Sequence, residues 1–210
     1  MESAERARKN VMSTREIVER SVRAVFDGLA EVVDRAVVPH RIRCASARRR
    51  PIGPDTVHIS FRFVLEHAGC AREGCLLLPL SESLALASQL LYLPDELVAR
   101  ARTRQAPDAT EKEALRELAA VVASSLEHEL ATFLPEIRAR SAGCQGVRAG
   151  VRPSLAYREG DELWVATFEG EIEESGSFLG HLVLPSLTSG GARPALTRRR
   201  APQRVPRKVR

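Results

Sequence analysis

Residues 108–133, which read DATEKEALRELAAVVASSLEHELATF, predict the longest amphipathic helix of the chain. Apolar side chains recur along it at steps of three and four residues, the spacing that places them on one face of a helix. These are Leu115, Leu118, Val122, Leu126, Leu130 and Phe133. Thr110 and Glu113 have the spacing of a capping box at its start, and Pro135 with Gly143 marks its end. We therefore expect this helix to pack one face into a core.

A second stripe on the same helix faces away from that core. Its members are also three and four residues apart: Glu113, Glu117, Ala120, Ser124 and Glu127. Two carboxylates one turn apart are an ordinary feature of a solvated helix surface. The alternative is a surface that binds another protein.

The chain before this helix alternates between helical and strand patterns. An amphipathic helix is predicted from Thr14 to Val37, capped by Ser13 or Thr14, with a short strand at 40–45. Strict alternation predicts a half-buried strand at 56–65. After a turn at 66–74 come a buried strand at 75–80, a short helix at 81–91 capped by Ser81, and a helical piece at 94–105.

The chain after the central helix predicts strands only. Residues 146–157 read as a strand interrupted at Pro153, and hence as an edge or bulged strand. Two more strands, at 162–169 and 177–185, flank a turn at 170–176.

The second half of the chain repeats the first. The run CLLLPLSES at 75–83 has a counterpart in HLVLPSLTS at 181–189. The same offset aligns three further pairs: Val57 with Leu163, Ile59 with Val165, and Gly74 with Gly180. We therefore predict an α+β fold in which two similar units of helix plus strands share one mixed or antiparallel sheet, with the long helices packed on it.

Composition is that of one domain with a tail. No run of eighteen apolar residues occurs and the charged N-terminus has no apolar signal core, so we expect a cytoplasmic protein without a transmembrane segment. Cys44, Cys70, Cys75 and Cys144 have no CxxC spacing and are expected to be free thiols. The sequence has no Gly-rich phosphate loop, no GxSxG and no HExxH, and we predict no cofactor.

The net charge of +5 comes from the end of the chain. Eight basic residues follow Ala192 and no acidic residue follows Glu174, so the remainder has 24 basic against 27 acidic residues. We expect an N-terminal extension at 1–12, a domain at 13–187 and a disordered basic tail at 188–210. Its cations are Arg193, Arg198–Arg200, Arg204, Arg207, Lys208 and Arg210. The tail would make nonspecific contacts with anionic partners, nucleic acid among them.

The order of elements, with the central helix reading EALRELAAVVASSL, resembles the CheC/CheX/FliY chemotaxis-phosphatase family. The resemblance covers the layout from Ser13 to Pro185, while only the central helix carries a motif. It implies binding of a phosphorylated CheY-type receiver and hydrolysis of its aspartyl phosphate by a glutamate and an asparagine three residues apart. Glu117 matches the glutamate, and Ala120 occupies the asparagine position.

The substitution at Ala120 limits what the resemblance implies for activity. In the family arrangement the amide orients a water in line with phosphorus while the carboxylate engages the receiver's lysine. A methyl group cannot do this, and Ser124 lies about 6 Å further along the helix axis. We therefore expect a phosphatase-like protein that docks a receiver without competent catalysis. The alternatives are an active phosphatase using Glu117 and a nucleic-acid-associated protein acting through its tail.

Other candidates are simpler to explain as structure. His67, Cys70 and Cys75 surround one turn but match no zinc spacing. His128 is expected on the surface between two glutamates, and Trp164 and Phe168 in the core. A homodimer through a sheet edge remains open.

Overall fold

The computed structural model describes residues 13–53, 55–157, 160–173 and 176–186. In chain order, these residues form four helices and six strands: α1 (Thr14–Val33), β1 (Val37–Ala47), β2 (His58–His67), β3 (Cys70–Pro79), α2 (Leu80–Leu90), α3 (Asp95–Arg102), α4 (Ala109–Ala131), β4 (Arg138–Val147), β5 (Leu163–Ile172) and β6 (Gly176–Pro185). The strands form one antiparallel sheet in the order β1-β5-β6-β3-β2-β4. The predicted α+β fold class is confirmed.

The strand order reads the same backwards when β1 is exchanged with β4, β2 with β5, and β3 with β6. Each half contributes a central hairpin, and each half's first strand forms the edge beside the other half's hairpin. The two hairpins meet where Leu76 pairs with Leu182, which are equivalent positions of the repeat. The outer strand of each hairpin pairs with the first strand of the other unit. In a single unit, that side of the hairpin would have no neighbouring strand.

The two long helices follow the same relation. The buried positions of α1 and α4 coincide when Val18 is placed on Leu115 and Leu29 on Leu126. On this alignment Gly28 corresponds to Ser125, and these two residues meet where the helices cross. A Cβ at Gly28 would lie 2.1 Å from the Ser125 hydroxyl oxygen. A larger residue at Gly28 would require the Ser125 hydroxyl to turn away, so the crossing favours glycine at this position.

Two glycines hold equivalent places in the hairpins. A Cβ at Gly74 would lie 2.4 Å from the Phe63 ring and 2.5 Å from the Val183 carbonyl oxygen. A Cβ at Gly180 would lie 2.5 Å from the Phe168 ring. The predicted pairing of these glycines therefore has a packing reason in both halves.

The register predicted between the outer hairpin strands is wrong by one residue. Opposite equivalent prolines, His58 pairs with Pro79 and Leu163 with Pro185, so His58 rather than Val57 is the counterpart of Leu163. The cause is turn length: two residues separate β2 from β3, whereas three separate β5 from β6. A one-residue shift matters because it exchanges the two faces of a strand.

The main core lies between one sheet face and the helices α1, α2 and α4. Phe26, Phe61, Phe63 and Phe168 are among its largest fully buried side chains. The predicted core position Phe168 is confirmed, while Trp164 is partly buried at its edge. A smaller cluster on the opposite face includes Cys75, Leu77 and Val183, covered by Leu155 and Tyr157.

The first helix and its strand differ from the prediction. α1 ends at Val33, four residues early, because Asp34 adopts a left-handed conformation (φ 52°) at its C-cap. Residues 34–36 form a turn, and Val37, expected at the end of the helix, instead begins β1, which includes Pro39. Proline is tolerated there because β1 is an edge strand. Ser13 caps α1 together with Glu16, as one of the two predicted caps.

The hairpin and short-helix boundaries also moved. The predicted turn at 66–74 is reduced to Ala68 and Gly69, both with positive φ, as a two-residue hairpin turn requires. α2 begins at Leu80, and the Ser81 hydroxyl bonds the Glu82 side chain rather than capping the helix.

The strand predicted at 146–157 is wrong. The structure has an edge strand, β4, from Arg138 to Val147, and irregular chain from Arg148 to Tyr157. β4 has no apolar alternation to reveal it, because one long edge of the strand is unpaired and most of its residues are partly exposed. The apolar residues that suggested a later strand include Leu155, which covers the second sheet face.

The four cysteines are free thiols, with Cys75 buried and the others half-buried. None of the described helices is long and apolar enough to cross a membrane. The predicted extension at 1–12 and tail at 188–210 lie outside the described residues, so those two boundaries stay predictions.

Candidate functional site

The central helix α4 is firmly seated on the sheet. Its predicted core residues Leu115, Leu118, Val122, Leu126 and Leu130 are all at most 1% exposed. Phe133 lies just beyond the helix and is only half-buried, with the Arg20 guanidinium 4.9 Å from its ring centroid. A helix held this way presents its outer face in one fixed orientation.

The helix start differs from the prediction. Asp108, not Thr110, is the N-cap, and its capping-box partner is Glu111, not Glu113. Asp108 accepts a hydrogen bond from the Glu111 amide at 2.8 Å, and the Glu111 carboxylate accepts one from the Asp108 amide at 2.8 Å. Because an N-cap must be extended rather than helical, the box belongs two residues earlier. Glu113 is consequently free of any capping role.

The outward residues of α4 lie in solvent. We call Glu113, Glu117, Ala120, Ser124 and Glu127 the helix strip. The first four are exposed, and Glu127 is half-buried. The core packs against the opposite face of α4, so the strip is exposed from Glu113 to Ser124, while Glu127 borders β4.

The three carboxylates of the helix strip differ in whether they form ion pairs or hydrogen bonds with the rest of the protein. Glu113 forms an ion pair with Arg116, and this hydrogen bond raises the pKa of Arg116. Glu127 accepts hydrogen bonds from the Ala139 amide at 2.7 Å and from Arg138 at 3.2 Å. Glu117 has no hydrogen bond or ion pair with any residue that the structure describes. Glu117 is therefore the strip carboxylate available to a partner.

Half-buried Cys144 lies on β4, close enough to Glu113 and Arg116 to be affected by their charges. Burial raises the pKa of its thiol, which the Arg116 charge opposes. A thiol with a raised pKa is a poor nucleophile, so Cys144 adds no chemistry to the strip.

An open groove of about 530 Å³ runs along the C-terminal half of the strip, between α4 and β4. Its lining combines small apolar and polar side chains: Ala120, Ala123, Ser124, Glu127, His128, Ala131, Arg138, Ala139 and Ser141. We call this the α4–β4 groove. His128 is exposed at its rim, in agreement with the surface position predicted for it. The groove residues on β4 were not predicted from the sequence, because that strand has no periodic pattern of apolar residues.

The positions that resemble a phosphatase motif lie one turn apart on the exposed face. Glu117 offers a free carboxylate, but Ala120 offers only a methyl group to a partner's active site. Ser124 is exposed on the same strip and lines the groove a turn further along. Positioning an attacking water needs a hydrogen-bonding group at the right place, and the residue at position 120 has none.

The metal alternative finds no support among the described residues. No three side chains of His, Cys, Asp or Glu within those ranges approach one another closely enough to hold an ion. His67 and Cys70 pair across the β2–β3 turn, while Cys75 is fully buried on the second sheet face.

No protein-family model matches the chain, and no curated protein matches its sequence. Solved structures do match its fold. FliY of Thermotoga maritima aligns with a TM-score of 0.53 at 14% identity, covering 84% of this chain and 92% of FliY. The FliM middle domain from H. pylori gives 0.55 at 12% identity, covering 81% and 88%.

The chemotaxis protein CheX from Desulfovibrio desulfuricans aligns with a TM-score of 0.51 at 14% identity, covering 80% of this chain and 99% of CheX. At such identities the likeness shows the fold and not the activity. The chain therefore has the fold shared by FliY, the FliM middle domain and CheX.

Proposed function

We propose that this protein docks a CheY-type response-regulator receiver in chemotaxis or two-component signalling, through the helix strip, without competent phosphatase chemistry. One observation carries the proposal: Glu117, at the position of the motif glutamate, is exposed and has no partner in the described part of the chain, while Ala120 supplies only a methyl group where catalysis needs an amide. In this proposal the protein still binds the receiver through Glu117, but it lacks the side chain that would position the attacking water.

Two further findings support a binding protein. The fold is shared with chemotaxis proteins such as CheX. Structures of H. pylori FliM, with the same fold, contain it in complexes with FliG and with SpeE. A scaffold of this kind is thus used to bind other proteins. We place the protein in the cytoplasm, where receiver domains work.

The test is a titration of purified receivers from the same genome, activated with beryllofluoride, against the full chain. Glu117→Lys should raise Kd at least about tenfold, since it places a like charge against the receiver's lysine. The matched control is Glu31→Lys, which makes the same charge change at an exposed position of α1. Absence of binding to every receiver, or equal effects of both variants, would contradict the proposal.

The second candidate is an active phosphatase. It is favoured by the Ser124 hydroxyl, which is exposed on the strip and lines the groove beside it. Phosphate release from a phosphorylated receiver that disappears in Glu117→Ala would establish it. If the wild-type chain shows no turnover and Ala120→Asn gains it, the chain is a binder on an intact catalytic scaffold.

A homodimer through a sheet edge is compatible with either role. Both edge strands, β1 and β4, are irregular: the register shifts between His40 and Arg43 in one and between the partners of Phe61 and Phe63 in the other. Bulges of this kind oppose edge-to-edge pairing. A mass measurement in solution, with and without the receiver, decides whether a second copy binds there.

A further inference from the structure

The turn between α2 and α3 has an unusual residue at its tightest point. Tyr92 has a φ of 55° and follows Leu91, the C-cap of α2. Its amide donates to the Gln89 carbonyl at 2.8 Å, and the Leu93 amide donates to the Ser88 carbonyl at 3.1 Å. This hydrogen-bond pair is the Schellman motif, in which the left-handed position ordinarily carries glycine.

The side chain of Tyr92 makes little contribution to the stability of the fold that could offset its unfavourable backbone conformation. A bulky side chain is disfavoured in the left-handed region, where glycine is at ease. The side chain also remains 80% exposed, so it buries little apolar surface. An aromatic residue that disfavours its own backbone conformation and lies in water points to a role in contact with another molecule.

A groove of about 560 Å³ lies beside this turn. Its floor is apolar, formed by Leu91, Leu93, Leu97 and Ala101. Leu97 is 41% exposed. We call this the α2–α3 groove. Its volume suits one or two large side chains of a partner.

The charges on the rim of this groove are unequal. Arg104 is engaged by Asp108 at 2.9 Å and by Glu111 at 2.8 Å. Arg100 also lines the groove, and its guanidinium forms no ion pair with any described residue. Arg100 is therefore the lining cation open to a partner, which favours an apolar segment that carries a carboxylate at that end of the groove.

The α2–α3 groove lies near the N-terminal end of the helix strip. Thr110 lines the groove and lies on nearly the same side of α4 as Glu117, seven residues later. At 1.5 Å per residue they are about 10 Å apart along the helix axis. A protein interface of ordinary size covers about 800 Å² per partner, a patch about 30 Å across. A partner centred on Glu117 therefore reaches the α2–α3 groove.

We infer that the docked receiver has a second point of contact here: one of its apolar side chains enters the α2–α3 groove against Leu93 and Leu97, the receiver covers exposed Tyr92 beside the groove, and a neighbouring carboxylate pairs with Arg100. This inference rests on the proposed function and adds to it the residues that extend the interface beyond the strip. Tyr92 and Leu97 supply apolar contact area, while Arg100 supplies charge complementarity.

The test uses the full chain and the beryllofluoride-activated receiver that binds it. Tyr92→Gly and Leu97→Ser should each raise Kd about five- to twentyfold, and Arg100→Glu should raise it and weaken its dependence on salt. The matched control is Leu179→Ser, which removes an exposed leucine, 54% accessible, from the sheet face opposite the helices. The control should leave Kd within about twofold of the wild type.

Thermal melting separates a binding role from a structural one. Tyr92→Gly should leave the thermal midpoint unchanged or raise it, since glycine is the residue suited to a left-handed C-cap. A lowered midpoint, or unchanged receiver affinity in both Tyr92→Gly and Leu97→Ser, would overturn the inference while the docking proposal stands. Failure of every receiver to bind the wild-type chain would overturn both.

Discussion

The two long helices occupy equivalent places in the two halves of the sheet, yet their side chains are used differently. Where α1 has Phe26, packed edge-on against Phe168 at 5.0 Å, α4 has Ala123, which leaves room for the α4–β4 groove. Where α1 has Arg20, α4 has Glu117. Arg20 is bound to Glu129 at 2.7 Å, whereas Glu117 is unpaired among the described residues.

This difference separates two tasks within one repeated fold. In the first half these side chains make internal contacts: Phe26 fills the core, and Arg20 forms an ion pair with Glu129 near the end of α4. The second half keeps small residues and a free carboxylate on an exposed helix that is equally well seated. The two copies of the helix are thus equally buried in the core but differ in how their outer side chains are paired.

The largest effect is expected for Phe26→Ala. The ring is fully buried between Phe168 and Phe178, so its removal should lower the free energy of unfolding by about 3–5 kcal/mol. Urea denaturation measures this change. Phe133→Ala, which removes a half-buried ring, is the comparison and should lose clearly less; equal losses would contradict the assignment of Phe26 to the core of the first half.

The paired glycines give a smaller effect and test the repeat itself. Gly74→Ala and Gly180→Ala should each destabilise by roughly 1–3 kcal/mol through overpacking. Gly74→Ala should lose more, because its Cβ would meet a backbone oxygen at 2.5 Å, against 3.1 Å at Gly180, and backbone yields less than a ring.

Gly146→Ala is the control for both variants. Gly146 lies in β4, and no described atom would come within 4 Å of its added Cβ. This variant should unfold at nearly the wild-type urea concentration. If all three variants behaved alike, the close glycine contacts would not be what holds the hairpins together.

The smallest effect contrasts the equivalent positions of the two helices. Arg20→Ala should cost about 1 kcal/mol of unfolding free energy, because it removes a surface ion pair and a cation–π contact with Phe133. Glu117→Ala should change stability by less than about 0.5 kcal/mol, since it removes no contact. Thermal or chemical denaturation of both variants decides, and a loss at Glu117 equal to that at Arg20 would show that Glu117 supports the fold.

Much of the fold could be predicted because periodicity reports burial. The apolar stripe of α4 and the strands with apolar runs, such as CLLLP, were found by their spacing. Strand β4 was not predicted, because its mostly exposed or half-buried residues have no apolar periodicity. The one-residue shift between β2 and β5 escaped because turn length, not strand composition, sets register.

The candidate site was predictable only in part for a related reason. The helix strip follows from helical spacing, and the exposure of Glu113, Glu117, Ala120 and Ser124 agrees with it. The α4–β4 groove needs β4, and the α2–α3 groove gathers residues from two short helices and the start of a third. Tyr92 in particular gives no signal in the sequence, because its left-handed conformation arises from how α2 ends.

The sequence by itself determined that two similar α+β units are joined, that α4 has a core face and an outer face, and that Ala120 supplies no hydrogen bond where a motif asparagine would. These are properties of spacing and of side-chain chemistry, which the chain carries before it folds. Only the tertiary structure decided that the units exchange edge strands, that Arg20 is ion-paired while Glu117 has no partner among the described residues, and that one groove adjoins the strip and a second lies near its start. Those depend on which distant residues come into contact, and long-range packing, not local pattern, selects them.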